Sequence, residues 1–425
     1  MAIPDPIRSY RCALLRVVVP VVLLALALTA CAEADPDDPA ADEADREPAQ
    51  TNLTDACVEE FDPEVDYFPD TVDLAASERA EVTYHGHYKL LELGEPHQGA
   101  AQGLTVALVQ CGTPEPDVDA DLTVEVPVES VAALTTVIHP HLDLIDRSEA
   151  LTAVATADFV ATEASRERIE AGEVDEVGEV AEDLDLETLV AAGPDVALAD
   201  SALDEGQAGV LTQASDAGVP TLPLASWLES DPLARASWLK VTALLLNEEA
   251  AAEQAYAEIV GGYTDLADRV AAEVDDEQRP SVLVETPFEG TWYVPGGESD
   301  RARMIDDAGG HYPWADEPGT ASLPLDLEEV LDVAGDAEVW LAAGSVHGTL
   351  DDLAAIDGRF AEIDAFEQGE VYARDALANP AGQPAVLEVG STRVDWQLAD
   401  LVAILHPDLA ADHELVFYGP VGAAR

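Results

Sequence analysis

The chain has 425 residues, with 87 Asp and Glu against 19 Lys and Arg, a formal net charge of −68. Binding a phosphate backbone needs clustered Lys and Arg, so nucleic acid is excluded as a partner. Hydrophobic residues make up 48%, enough for real cores in a chain long enough for two or three globular units. The acids run along the whole chain. Such a surface suits high salt, where the screening length falls to about 3 Å at 1 M, and a salt-rich habitat is the expectation.

The N-terminus has three parts in order. Arg8, Arg11 and Arg16 form a basic region, and Val17 to Leu28 is an apolar run interrupted by Pro20. Leu28-Thr29-Ala30-Cys31 follows. The apolar run is too short to span a bilayer but suits a signal-peptide core. Small residues before a Cys fit a lipoprotein signal peptidase site, so residues 1–30 are expected to leave and Cys31 to carry a diacylglyceryl group. Residues 31–51, rich in Ala, Asp, Glu and Pro, are too polar to pack and read as an acidic tether. The expected location is the outer face of the cell membrane. Cys12 leaves with the signal peptide. Cys57 and Cys111 remain, an even pair in an oxidising compartment, and are expected to form a disulfide; two free buried thiols are the alternative.

Residues 52–125 read as a small β-rich unit with a thin core, with strands at Val82-Thr83-Tyr84 and Leu104 to Gln110. From residue 126 short apolar runs alternate with helical stretches, the pattern of a parallel α/β sheet. Val131 to Leu134, Asp195 to Leu198 and Val219 to Leu222 read as strands of a lobe spanning 126–230. Asp231-Pro232 has the form of an N-cap followed by Pro at the first helical position. Helices then fill 231–278 without a strand signal, until Arg279-Pro280. A second α/β series occupies 279–425, with strands at Val282 to Val284, Val339 to Leu341 and Val371 to Ala373. Leu398, Leu401, Val402 and Leu405 follow i, i+3, i+4, i+7 spacing, so a late amphipathic helix is predicted.

The two series echo each other. Leu184-Asp185-Leu186-Glu187 precedes a helix, Gly193 and a strand at Val196; Leu325-Asp326-Leu327-Glu328 precedes a helix, Gly335 and a strand at Val339. Two related α/β lobes joined by helix are therefore expected, with a ligand cleft between them at the carboxyl ends of the strands.

Several segments resemble one family. They are Leu186-Glu187 through Gly193-Pro194-Asp195-Val196, then Ala217-Gly218-Val219-Pro220, then Pro232 to Lys240 with Arg235 and Trp238. Trp292 to Gly297 with Asp306 to Gly310, and Leu398 to Pro407, complete the set. In these the chain resembles the substrate-binding proteins of ABC importers that serve ferric siderophores, haem and cobalamin. The resemblance covers most of residues 125 to 418. It implies two α/β lobes, a rigid connecting helix and small closure. It implies no enzymatic activity and no resident cofactor. The implied partners are an ABC permease with its cytoplasmic ATPase, a metal chelate and, through Cys31, the lipid bilayer; the protein itself would be a monomer. Ferric siderophore is the first expectation for the ligand, cobalamin or haem the second. The family's docking acids, one per lobe tip, fall on Glu187 and Glu328, with Glu329 an alternative to the latter. An acid in the first turn of a helix is also stabilised by the helix dipole, by about 0.3–1 kcal/mol.

Cleft residues should come from strand ends and the loops after them. That nominates Thr135, Thr136 and His139 in the first lobe, and Trp292, Tyr293, Arg301, Arg303, Arg393 and Trp396 in the second. Flat ring-bearing ligands want aromatic walls and their carboxylates want Arg. Each of these aromatics can equally be core, and each Arg a surface ion pair. His85-Gly86-His87 and His139-Pro140-His141 would put two imidazoles on one side of a strand, which keeps free zinc or manganese binding open as a different class. A lipid-anchored hydrolase is the remote alternative. There is no Gly-x-Ser-x-Gly elbow, no His-Glu-x-x-His and no phosphate-binding Gly loop, and Gly344 to Gly348 reads as a turn.

Overall fold

The computed structural model describes residues 51–95, 103–180, 184–202, 205–344 and 348–422. Cys31 and the tether up to residue 50, and residues 345–347 of the Gly344 to Gly348 segment, lie outside them.

The first sheet comprises β1 (Ala80–His85), β2 (Tyr88–Leu93), β3 (Leu104–Gln110) and β4 (Leu122–Val126), paired in chain order. β1, β2 and β3 are antiparallel, and β4 runs parallel to β3. Cys57 and Cys111 are joined by a disulfide with Cα atoms 4.8 Å apart. The unit does not bury a small core of its own. Phe68, Leu91, Leu93, Val106, Leu108 and Val124 belong to one apolar cluster with Val131, Leu151, Leu198 and Leu222 of the next sheet and Trp238 and Leu245 of the connecting helices.

The second sheet is five-stranded and parallel. It holds β5 (Val131–Ala133), β6 (Leu151–Val154), β7 (Asp175–Glu176), β8 (Val196–Asp200) and β9 (Thr221–Leu224), in the order β7-β6-β5-β8-β9. The order reverses between β5 and β8, which opens a crevice at their carboxyl ends.

Helices Pro232–Ala236, Leu239–Leu246 and Glu249–Glu273 connect the lobes. The Asp231 carboxylate accepts from the Leu233 and Ala234 amides, and Pro232 occupies the first turn, as its φ permits. Asn247, with φ +56°, breaks the run before the last helix. That helix has 25 residues and is therefore about 37 Å long.

The second lobe contains β10 (Val282–Val284), β11 (Trp292–Val294), β12 (Leu323–Leu325), β13 (Val339–Ala342), β14 (Val371–Ala373) and β15 (Gly419–Pro420). β10, β13 and β14 are parallel, with β15 antiparallel at the edge; β11 and β12 form a separate antiparallel pair. Helix Val394–Leu405 buries Leu398, Leu401, Val402 and Leu405. The fold is thus two α/β lobes joined by a long helix, with a β-rich extension at the front of the chain.

The two copies of Leu-Asp-Leu-Glu play the same local role. Asp185 caps helix Leu186–Ala192 and Asp326 caps helix Leu327–Ala334. Gly193 ends the first with φ +61°, a left-handed cap that glycine adopts at no steric cost.

Candidate ligand cleft

Each lobe has a cavity at the carboxyl ends of its parallel strands. In the first lobe a cavity of about 380 Å³ is lined by Thr135 and Thr136 after β5, Thr156 and Phe159 after β6, Asp200 and Ser201 at the end of β8, and Trp227. Thr135 Oγ1 donates to Asp200 Oδ2 at 3.0 Å, across the point where the strand order reverses. The indole of Trp227 donates to Ser201 Oγ at 3.1 Å. Asp200 has protein packed around it while its surface faces the open cleft. Burial raises its pKa, against the pull of the Thr135 hydrogen bond and the charge of Arg235.

The second cavity, about 260 Å³, is lined by Arg235, Glu285, Tyr293, Arg301, Arg374 and Tyr418, among others. Glu285 directly follows β10 with φ +67°, unusual for a residue with a side chain. It is held there by its amide, which donates to the Leu341 carbonyl at 3.0 Å, and by its carbonyl, which accepts from the Trp340 indole at 2.7 Å. The Glu285 carboxylate accepts from Arg301 on one oxygen and from Arg374 on the other, the latter at 2.8 Å. Burial works against the charge on Arg301, but Glu285 beside it prevails and its pKa is raised. Arg374 is lowered by burial and by the repulsion of Arg301. Among the described residues, Nη2 of Arg301 is buried with no hydrogen-bond partner. Arg235, from the connecting helix, pairs with Asp300 at 2.9 Å.

The cavities are two walls of one cleft. Arg235 lines the second while its charge acts on Asp200 in the first. The lobes also touch directly. Asn379 Nδ2 donates to the Phe159 carbonyl at 2.9 Å, and Glu388 accepts from the amides of Ala161 and Thr162 and from the Thr162 hydroxyl, at 2.7, 2.9 and 2.6 Å. Tyr293 and Leu387 stay exposed at the second wall.

Several nominated residues fall elsewhere. Trp292 is fully buried, and its indole donates to the Val284 carbonyl at 2.8 Å; it packs on Trp340 and Phe360 in the core. Arg303 pairs with Asp231 at 2.7 Å in a groove beside the long helix. Arg393 forks onto Asp395 at 2.9 and 2.6 Å and lies 3.7 Å above the ring of Trp396, which is itself buried. All four are drawn away by nearer partners. His139 lines the first cavity but is buried, and its Nδ1 lies 3.1 Å from Ser165 Oγ. Burial pushes its pKa down to about 3, so it is neutral. His139 and His141 sit on helix Ile138–Leu144, not a strand, and His141 turns away to Thr242 at 2.8 Å. His85 ends β1 and His87 lies in the following turn. Among the described residues no group of three or more His, Cys, Asp or Glu could hold a metal ion.

Asp200, Trp227, Arg235, Glu285 and Arg374 were not nominated from the sequence. Asp200, Glu285 and Arg374 each end or follow a strand, so carrying the strand-end rule through β8, β10 and β14 would have found them.

Two lobes, a helical connection and a cleft at the strand ends define a solute-binding protein. The periplasmic binding protein family matches residues 131–377. The chain belongs to that family, whose members bind solutes outside the cytoplasm and deliver them to ABC permeases. An uncharacterized lipoprotein of Methanocaldococcus jannaschii is 24% identical over 212 residues. The match takes in 49% of this chain and 48% of that one, so the chain spans about half the length of this relative. A periplasmic haem-binding protein from Pseudomonas aeruginosa has the same fold at 18% identity, with TM-score 0.54 over 70% of this chain and 99% of that one. A possible iron-binding periplasmic protein from Staphylococcus epidermidis superposes with TM-score 0.51 at 16% identity, over 66% and 99%. Among the described residues no helix is long and apolar enough to cross a membrane.

Proposed function

We propose that the chain captures a ferric siderophore in the interlobe cleft and hands it to an ABC permease, while a diacylglyceryl group on Cys31 holds it at the outer face of the membrane. The observation that carries this reading is the convergence of Arg235, Arg301 and Arg374 on one cleft wall in a chain with 19 bases against 87 acids. Guanidinium groups suit the oxygen-rich, anionic surface of a chelate, and exposed Tyr293 and Leu387 suit its organic shell. Thr135, Thr136 and Trp227 are the ligand contacts proposed on the facing wall.

Docking is assigned to Glu187 and Glu328. Both are exposed in the first turns of the related helices. Glu329 is occupied in its capping box, where its side chain accepts from the Asp326 amide at 3.0 Å. That favours Glu328 over its neighbour. A tether of about twenty residues after Cys31 would keep the cleft close to a permease.

Haem is a second reading, favoured by the exposed Tyr293 phenol at the cleft, since a tyrosine can ligate haem iron. Titration of the purified protein with ferric chelates and with haemin, followed by quenching of tryptophan fluorescence, tests both. Trp227 in the cleft is the reporter. Saturable quenching by a ferric chelate with no Soret shift for haemin supports the siderophore reading. A Soret shift at one equivalent with no chelate binding replaces it with haem.

A further inference from the structure

The two walls of the cleft carry opposite charge. Among the described residues lining the first-lobe cavity there is no Lys or Arg, while Asp200 and Glu179 are both present. The histidine in that wall is neutral. The second-lobe wall has Arg235, Arg301 and Arg374 against Glu285 and Asp300, an excess of cations. Arg235 does not cancel Asp200. It is committed to Asp300 at 2.9 Å, whereas Asp200 accepts from Thr135 Oγ1 at 3.0 Å. Arg301 and Arg374 both line the cavity and share a single carboxylate, Glu285, so the second wall is left with positive charge for a ligand.

We infer that the cleft is built for an amphoteric chelate, which sets a cationic group against Asp200 on the first wall and an anionic group against Arg301 and Arg374 on the second. This rests on the chelate reading above and adds the charge pattern of the ligand. The physical reason is that a charge brought into a partly desolvated cleft costs free energy unless it meets its opposite there. A uniformly anionic ligand would satisfy the arginines and leave its remaining charge facing Asp200. A uniformly cationic one would do the reverse.

The test uses the full mature protein and three ferric trihydroxamate chelates with the same core. They differ at one terminus: a free primary amine, its N-acetyl form or its N-succinyl form. Affinities are read by tryptophan quenching at one ionic strength. The amine chelate and the succinyl chelate should each bind at least about tenfold tighter than the neutral acetyl chelate. Asp200→Asn should bring the amine-to-acetyl ratio close to one and keep the succinyl-to-acetyl ratio. Arg374→Gln should do the opposite. Equal affinity of the three for the native protein overturns the inference and leaves the chelate reading standing. So does a variant that collapses both ratios together. If none of the three binds, the ferric hydroxamate reading fails and the inference fails with it.

Discussion

Lys89 offers the sharpest test of how the N-terminal unit is attached. Its side chain is fully buried, and its three donors are all matched: to the Leu244 carbonyl at 2.6 Å, Asn247 Oδ1 at 2.8 Å and Glu249 Oε1 at 2.7 Å. The ammonium also lies 4.5 Å from the centre of the Phe68 ring. Burial lowers its pKa, and the carboxylate of Glu249 opposes that. Lys89→Met keeps the length of the side chain and removes the charge. Glu249 would then stay buried with, among the described residues, the Asn52 amide at 2.8 Å as its remaining side-chain donor, and the Leu244 carbonyl would lose the Lys89 ammonium. Removing one partner of a buried ion pair costs about 3–5 kcal/mol, mostly from the charge left behind. For a chain of 425 residues, with an unfolding entropy of about 2.1 cal/mol/K per residue, that lowers the thermal midpoint by about 3–6 °C. Lys89→Met with Glu249→Gln should recover a large part of the loss, because no uncompensated charge remains. Thermal unfolding at fixed salt with the disulfide intact measures both. A loss under about 1 kcal/mol for the single variant, or strict additivity of the two substitutions, would refute the claim that this pair fastens the unit.

Three further outcomes are expected. Glu187→Arg with Glu328→Arg should abolish uptake in cells or permease-containing vesicles while chelate affinity, measured on the free protein, stays within twofold; a parallel loss of affinity would remove both from docking. Arg374→Gln should weaken anionic chelates by about 10–100-fold, or roughly 1.4–2.7 kcal/mol, with Arg301 still in place; unchanged affinity in direct titration would take the second wall out of the site. Glu388, pushed up to about 7 by burial against its hydrogen bonds to Ala161 and Thr162, holds its proton more readily folded than unfolded. Its stabilising contribution is therefore full below the ordinary carboxylate value near 4.5 and is lost as pH rises through about 7. The native thermal midpoint should fall more between pH 5 and pH 8 than that of Glu388→Gln, and an equal or opposite trend would sink the assignment.

The α/β lobes were legible because parallel strands buried on both faces read as continuous apolar runs, as in Val282 to Val284 and Val339 to Ala342. The cap at Asp231 was legible because capping chemistry is local. β2 escaped because Lys89 stands at an inward position with Leu91 and Leu93, which breaks the apolar alternation. Its burial depends on Glu249, 160 residues away. The shared core of the N-terminal unit and the first lobe was hidden for the same reason. Alternation shows that a face is buried and not what covers it. The cleft was half legible. Thr135 follows from the strand-end rule, whereas Tyr293 lies inside β11 and Arg301 on helix Asp300–Asp307, and the destination of an Arg depends on which carboxylate lies nearest in space. Arg303 found Asp231, 72 residues away, which no spacing rule could place, whereas Arg393 found Asp395 only two residues on.

The excess of acid has a kinetic consequence that separates the long-range field from the local one. At low salt a net charge of −68 repels an anionic chelate well before it reaches the arginines of the cleft. Electrostatic steering changes association rates by about 10–10³-fold, and screening shortens its reach from about 8 Å at 0.15 M to about 3 Å at 1 M. Contacts to Arg301 and Arg374 act at 3–4 Å inside a partly desolvated cleft and are screened far less. The association rate of an anionic chelate should therefore rise with salt, by about tenfold between 0.15 and 1 M, while its dissociation rate changes little. A cationic chelate should associate more slowly over the same range. Stopped-flow quenching of tryptophan fluorescence reads both rates. If the anionic chelate instead associates more slowly as salt rises, the cleft arginines dominate the approach as well as the bound state. The acidic surface would then have no part in ligand capture.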